Sequence, residues 1–262
     1  LQEFFGKNQV DYINAQIQTF PENLNLVAVT PNYNALKKQI LSRGELKIAL
    51  LFGLDLKSTD PNDNGRTSYE YFQRYFESRG FSVDHHRSNP AGPFAEYVRP
   101  AGKGKFAVRV VMSLSASDIN SPVVFARRAR EAFETADLVD YVGHSGLGGN
   151  LNLEQLTRLS SADPERPTPI HFPKTYQIYY LDSCASFFFY SKEYAGIWQG
   201  AHNVDLVTNG VATFFYTQNH ETLRFLEAFT EPSNAATWNE ILSRAEEAHP
   251  RFTYMINVNG IR

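Results

Sequence analysis

The chain has 262 residues, 42% hydrophobic and 14% aromatic, a globular composition long enough for one full core and unlike a disordered segment. Its formal net charge of -3 gives no electrostatic reason to bind nucleic acid or an anionic membrane, and no apolar run approaches the roughly 20 residues of a membrane span. One cysteine, Cys184, excludes an internal disulfide framework and a multi-cysteine zinc site.

Residues 1–45 read as a helical or irregular N-terminal extension, with Pro21 and Pro31 interrupting a Gln/Asn-rich background. The chain opens at Leu1 rather than Met, which leaves room for an upstream targeting segment. Export to a periplasmic or extracellular space is read slightly ahead of a cytoplasmic location. The main domain is expected over 46–262. It begins with the apolar run Lys47 to Leu54, of the kind seen in strands covered on both faces. A polar loop, Lys57 to Arg66, precedes a helix starting at Thr67/Ser68 and ended by Gly80. Phe81 to His86 reads as a strand, Ser88 to Gly104 as a Pro/Gly-rich surface excursion, and Lys105 to Ser113 as a strand.

Ser121-Pro122 opens a helix through Thr135, with Pro at the first turn, where its missing N–H is harmless. Asp137 to Gly143 is a strand that delivers His144, and Asn152 to Ser160 is a short helix. A Pro-rich loop, Ser161 to Lys174, leads to the strand Tyr176–Leu181, which delivers Asp182-Ser183-Cys184. Later signals are a helix near Lys192–Gln199, a strand at Val204–Gly210, helices near Glu221–Phe229 and Ala236–His249, and a strand at Phe252–Val258. Strands alternating with helices at these spacings imply crossover connections. The expected fold class is α/β, a mainly parallel sheet flanked by helices on both faces.

In such sheets the active site lies beyond the carboxyl ends of the strands, where both His144 and Cys184 fall. A lone cysteine is more often buried and inert than reactive. An imidazole within reach changes that reading, because a thiol acts as a nucleophile only as thiolate. Gly143, Ser145 and Gly146 around the histidine let the backbone turn sharply and expose N–H groups suited to an oxyanion.

Two segments carry a family resemblance: Leu138-Val139-Asp140-Tyr141-Val142-Gly143-His144-Ser145-Gly146, and Ile178-Tyr179-Tyr180-Leu181-Asp182-Ser183-Cys184, with Cys184 falling 40 positions (184 − 144) after His144. Together they resemble the paired signature of the caspase-like cysteine peptidases, the clan CD group that includes clostripain- and gingipain-like bacterial members. The resemblance implies a caspase-like three-layer sandwich and a cysteine endopeptidase, a thiol protease acting on peptide or protein substrates without a cofactor. It implies His144 as general acid/base and Cys184 as nucleophile. The oxyanion donors would be the backbone N–H groups of Cys184 and of Ser145 or Gly146. Asp182, and Asp205 on the next strand, would line a substrate pocket that prefers basic P1 residues; an Asp182 that caps the following helix is the equal alternative. The family places Gly directly after the histidine, where this chain has Ser145. That departure favours the alternative of a catalytically inactive member serving as a binding or scaffolding module. An α/β binding protein with a structural cysteine is the third class. A basic-specific enzyme could also cut its own loop between residues 158 and 175, with Lys174 the leading site.

Asp60, Asn62 and Asn64, followed by Gly65, look like the first half of a calcium loop. Tyr71 stands where the bidentate Glu belongs, so an Asx-rich turn before a helix is the stronger reading. Asp84-His85-His86 is a weak metal candidate, since neighbouring strand residues face opposite sides. His171, His202, His220 and His249 fall in loops or at helix ends, where solvated or capping roles dominate.

Overall fold

The computed structural model describes residues 30–54, 60–89, 92–102, 106–116, 123–197, 203–210, 212–230, 236–247 and 256–261. The fold is α/β, with a mostly parallel mixed sheet between two helical layers. Among the described residues the strands are β1 (Glu45–Gly53), β2 (Ser82–Asn89), β3 (Gly92–Arg99), β4 (Ala107–Ser115), β5 (Leu138–Val142), β6 (Gln177–Asp182), β7 (Val204–Asn209) and β8 (Ile256–Ile261). The helices are α1 (Tyr33–Arg43), α2 (Asn64–Ser78), α3 (Val123–Thr135), α4 (Leu153–Ser160), α5 (Ser186–Ile197), α6 (Phe215–Thr230) and α7 (Trp238–Glu246). None of the described helices is long and apolar enough to cross a membrane.

The sheet order is β2-β3-β4-β1-β5-β6-β7-β8. β4, β1, β5, β6 and β7 run parallel, and the antiparallel pairs β2/β3, β3/β4 and β7/β8 close the two sides. The pleat sorts alternate side chains to opposite faces. In β1, Leu46, Ile48, Leu50 and Phe52 meet α1, α2, α6 and α7, through residues such as Leu36, Phe72, Phe225 and Trp238. Ala49 and Leu51 meet α3, α4 and α5, through Phe125, Leu156 and Tyr190.

Three boundaries differ from the sequence expectation. The Ser88–Gly104 stretch is not a surface excursion: β2 runs to Asn89, β3 follows from Gly92, and Phe94, Ala95 and Tyr97 are buried. The turn-like Gly92 and Pro93 are the first two residues of β3, paired with Asn89 and Ser88 at the turn end of this hairpin. α2 begins at Asn64 rather than Thr67, because the Asp63 side chain accepts a hydrogen bond from Arg66 N and caps the helix. Residues 33–45 belong to the domain and not to an extension. Leu36 and Ile40 of α1 are buried in the core, and Gln39 Nε2 donates to Asp137 Oδ1 at 2.8 Å and to the Tyr176 carbonyl at 2.9 Å. Residues 1–29 lie outside the described residues.

Candidate active site

β5 and β6 are adjacent and parallel, with Val142 level with Asp182, so their carboxyl ends release His144 and Cys184 side by side. Gly143 N donates to the Asp182 carbonyl at 3.4 Å and ties the two strand ends together. Only glycine fits at 143: a Cβ there would lie 2.7 Å from the Tyr141 hydroxyl and 3.3 Å from Gly53 Cα. The turn after His144 is held from beneath. Tyr141 Oη and Asn150 Nδ2 donate to the His144 carbonyl at 2.7 and 2.8 Å, and Tyr190 Oη donates to the Ser145 carbonyl at 2.5 Å. The side chain of His144 stays exposed, with the edge of the Phe215 ring packed against it at 5.0 Å between centroids.

Cys184 sits in a strand-to-helix turn. Ser183 N bonds back to the Leu181 carbonyl, Ala185 takes φ 51, and α5 starts at Ser186. A non-glycine residue in the left-handed region is strained, and such strain is maintained where the fold needs a side chain presented sharply. The positive end of the α5 dipole then lies close to where charge would develop on the thiol or on a carbonyl that it attacks. Cys184 Sγ is 3.5 Å from the Thr213 carbonyl, to which it donates, and 3.9 Å from Thr213 Oγ1.

His144 and Cys184 share the wall of one cleft of about 290 Å³, completed by Asn64, Gly143, Thr213, Phe214, Phe215 and Gln218. Of the expected oxyanion donors, Cys184 is on this wall. Ser145 is buried and Gly146 exposed, in the turn beside it, with Gly146 at φ 56. Thr213, Phe214, Phe215 and Gln218 were not singled out from sequence, because the helix signal began at Glu221. α6 starts six residues earlier, at Phe215, and carries Phe215 and Gln218 to the cleft.

Two expected substrate-binding acids are placed otherwise. Asp182 is not open to the cleft. It lies on the sheet face under α6, fully buried, and its carboxylate accepts from Asn209 Nδ2 at 2.8 Å, Gln218 Nε2 at 3.3 Å and Thr222 Oγ1 at 3.3 Å. Burial pushes its carboxyl up to about 7, against the lowering effect of these three donors. Asp140, on the same face of β5, is buried; burial and the charge of Asp182 hold it well above the usual carboxylate range, against a lowering effect of the Thr222 hydroxyl. Asp205 is further from any site. It is the second residue of β7, about 13 Å short of that strand's carboxyl end, and accepts from Tyr176 Oη at 2.5 Å.

At Asp60–Asn64 the structure has the Asx turn that was the stronger sequence reading. Asp60 Oδ1 accepts from Asn62 N at 2.8 Å, closing an Asx turn, and Asn64 is already the first residue of α2. No group of three or more His, Cys, Asp or Glu side chains that could hold a metal occurs among the described residues. Asp84 pairs with Arg109 at 3.0 Å, while His85 and His86 lie in β2 opposite Glu96 and Ala95. His220 packs edge-on to Tyr71 on the outside of α6, and His171 is exposed in its loop. His202 and His249 lie outside the described residues. No protein-family model matches the chain, and no curated protein matches it by sequence.

Proposed function

We propose that the protein is a cysteine endopeptidase of the caspase-like type, in which His144 and Cys184 form the catalytic dyad. One observation carries the reading: the only cysteine of the chain and a histidine leave neighbouring parallel strands at the same end and line one cleft. The strand order supports it, since the site sits beyond the carboxyl ends of the central parallel strands.

The chemistry follows from these parts. Rotation of the Cys184 side chain away from Thr213 frees the thiol, whose proton passes to the imidazole. The sulfur attacks the scissile carbonyl carbon, forming the S–C bond and placing the electron pair on oxygen. The intermediate collapses by breaking the C–N bond, and the imidazolium gives its proton to the leaving amine. Water then cleaves the thioester, with His144 taking the proton and returning it to sulfur. The backbone N–H of Cys184 and those of the Ser145–Gly146 turn are the donors proposed for the oxyanion.

The test is cleavage of a mixed peptide library by wild type, Cys184→Ala and His144→Ala. Wild type should release fragments, and either substitution should lower kcat by at least roughly a thousandfold. The double variant should be no worse than the weaker single one, because nucleophile and base act as a unit. Cleavage surviving in Cys184→Ala would refute the covalent mechanism.

A further inference from the structure

We propose that Gln218 is the specificity-determining residue of this cleft: it seals Asp182 off from the substrate and makes the P1 site select uncharged side chains. The inference rests on the peptidase reading above and adds the substrate class to it.

Three observations meet at this residue. Among the described residues, the cleft is walled, apart from the dyad itself, by Asn64, Gly143, Thr213, Phe214, Phe215 and Gln218, none of which carries a charge. Beneath the floor lies Asp182, two residues before the nucleophile and fully buried. Gln218, itself 1% exposed, is the side chain common to both levels. It lines the cleft, and its Nε2 donates to the Asp182 carbonyl at 2.8 Å, to Asp182 Oδ1 at 3.3 Å and toward Thr213 Oγ1 at 3.0 Å.

A guanidinium or ammonium set against this described lining loses its hydration without meeting a carboxylate from it, a severe penalty for an unpaired charge. An uncharged P1 side chain avoids that penalty. The half-buried Phe214 and Phe215 rings offer apolar contact, and Thr213 offers a hydroxyl at the floor. The acid needed for a cationic P1 residue is present but covered, and of the three side chains that hold it Gln218 is the one that lies between it and the cleft. Removing that cover should convert the selectivity rather than merely weaken it.

The test is a P1 series (Ala, Leu, Asn, Gln, Asp, Lys, Arg) in otherwise identical fluorogenic peptides, read as kcat/KM. Wild type should favour the best uncharged P1 residue at least tenfold over Lys and Arg. Gln218→Ala should raise Lys and Arg at least tenfold relative to that residue, and Gln218→Ala with Asp182→Asn should lose the gain. Gln218→Met keeps the cover without the amide, so it should keep the wild-type preference, and it serves if the Ala variant fails to fold. A wild type that prefers Lys or Arg, or a Gln218→Ala profile identical to wild type, would overturn this assignment and leave the peptidase reading standing. A wild type that cleaves no peptide of the series or of the mixed library would overturn both.

Discussion

At the residue scale the decisive side chain is Asp182. Its place two residues before Cys184 is visible in the sequence, but its surroundings are not. They are built from Asn209 at the end of β7 and from Gln218 and Thr222 on the following helix. The sequence signal for that helix began after Gln218, so nothing in the chain order announced a neutral amide over the acid. Burial raises the Asp182 carboxyl from its ordinary 3.8 to about 7, so between those values the folded protein holds a proton that the unfolded chain has released. Asp140 shifts in the same direction. The contribution to stability is therefore complete below about pH 4 and is lost as the pH rises toward 7, at up to about 1.4 kcal/mol per pH unit for one such group. Urea midpoints should fall across that window in wild type and fall less steeply in Asp182→Asn. Equal slopes in the two proteins would show that this carboxyl does not titrate as its burial implies.

At the element scale, the turn after β5 and the loop after α4 make separate predictions. Gly146 has φ 56, and a Cβ on it would lie 2.1 Å from Asn150 Oδ1, whose amide supports the His144 carbonyl. Gly146→Ala therefore combines a left-handed backbone penalty with a displaced Asn150. It should lower kcat/KM by roughly tenfold or more while the protein stays folded, as seen by circular dichroism. Ser145 stands where the resembled family has glycine, yet its φ of -73 is ordinary for any residue, so the sharp bend has moved one place on to Gly146. The Pro-rich loop from Ser161 read as exposed and easily nicked. It is exposed, but Arg130 ties its start to its middle, with Nε donating to Ser160 Oγ at 2.7 Å and the guanidinium reaching the Thr157, Thr168 and Pro169 carbonyls. Arg130→Ala should raise the rate of tryptic cutting between Arg158 and Lys174 by roughly tenfold or more, since each lost bond to a charged donor favours the open loop. An unchanged rate would mean that the clamp does not hold the loop.

At the scale of the whole molecule, the apolar runs made β1, β5, β6 and β7 legible, because strands buried on both faces declare themselves without any partner in view. The β2–β3 hairpin is hard to read from sequence because Pro93 and Gly92, residues typical of a loop, open its second strand. α1 was hidden because its amphipathic face is weak: Leu36 and Ile40 anchor it, together with a polar lock in which Arg43 and Gln39 hold Asp137. The sequence places His144 and Cys184 at strand ends, but only the sheet order, with β5 beside β6, brings them to one cleft. If α1 is part of the core, Leu36→Ala with Ile40→Ala should cost several kcal/mol and lower Tm by roughly 10 °C or more. A drop of a degree or two would return α1 to the status of a detachable extension.

The central claim is covalent catalysis by Cys184 with His144 as its base, and intact-protein mass spectrometry with an activated peptide ester tests it most directly. Rapid quenching should trap one acyl group per chain, mapped to Cys184, with a matching burst of leaving group in wild type. The adduct should form far more slowly in His144→Ala and not at all in Cys184→Ala. A wild-type chain that carries no acyl group, or one acylated at the same rate without His144, would contradict the dyad.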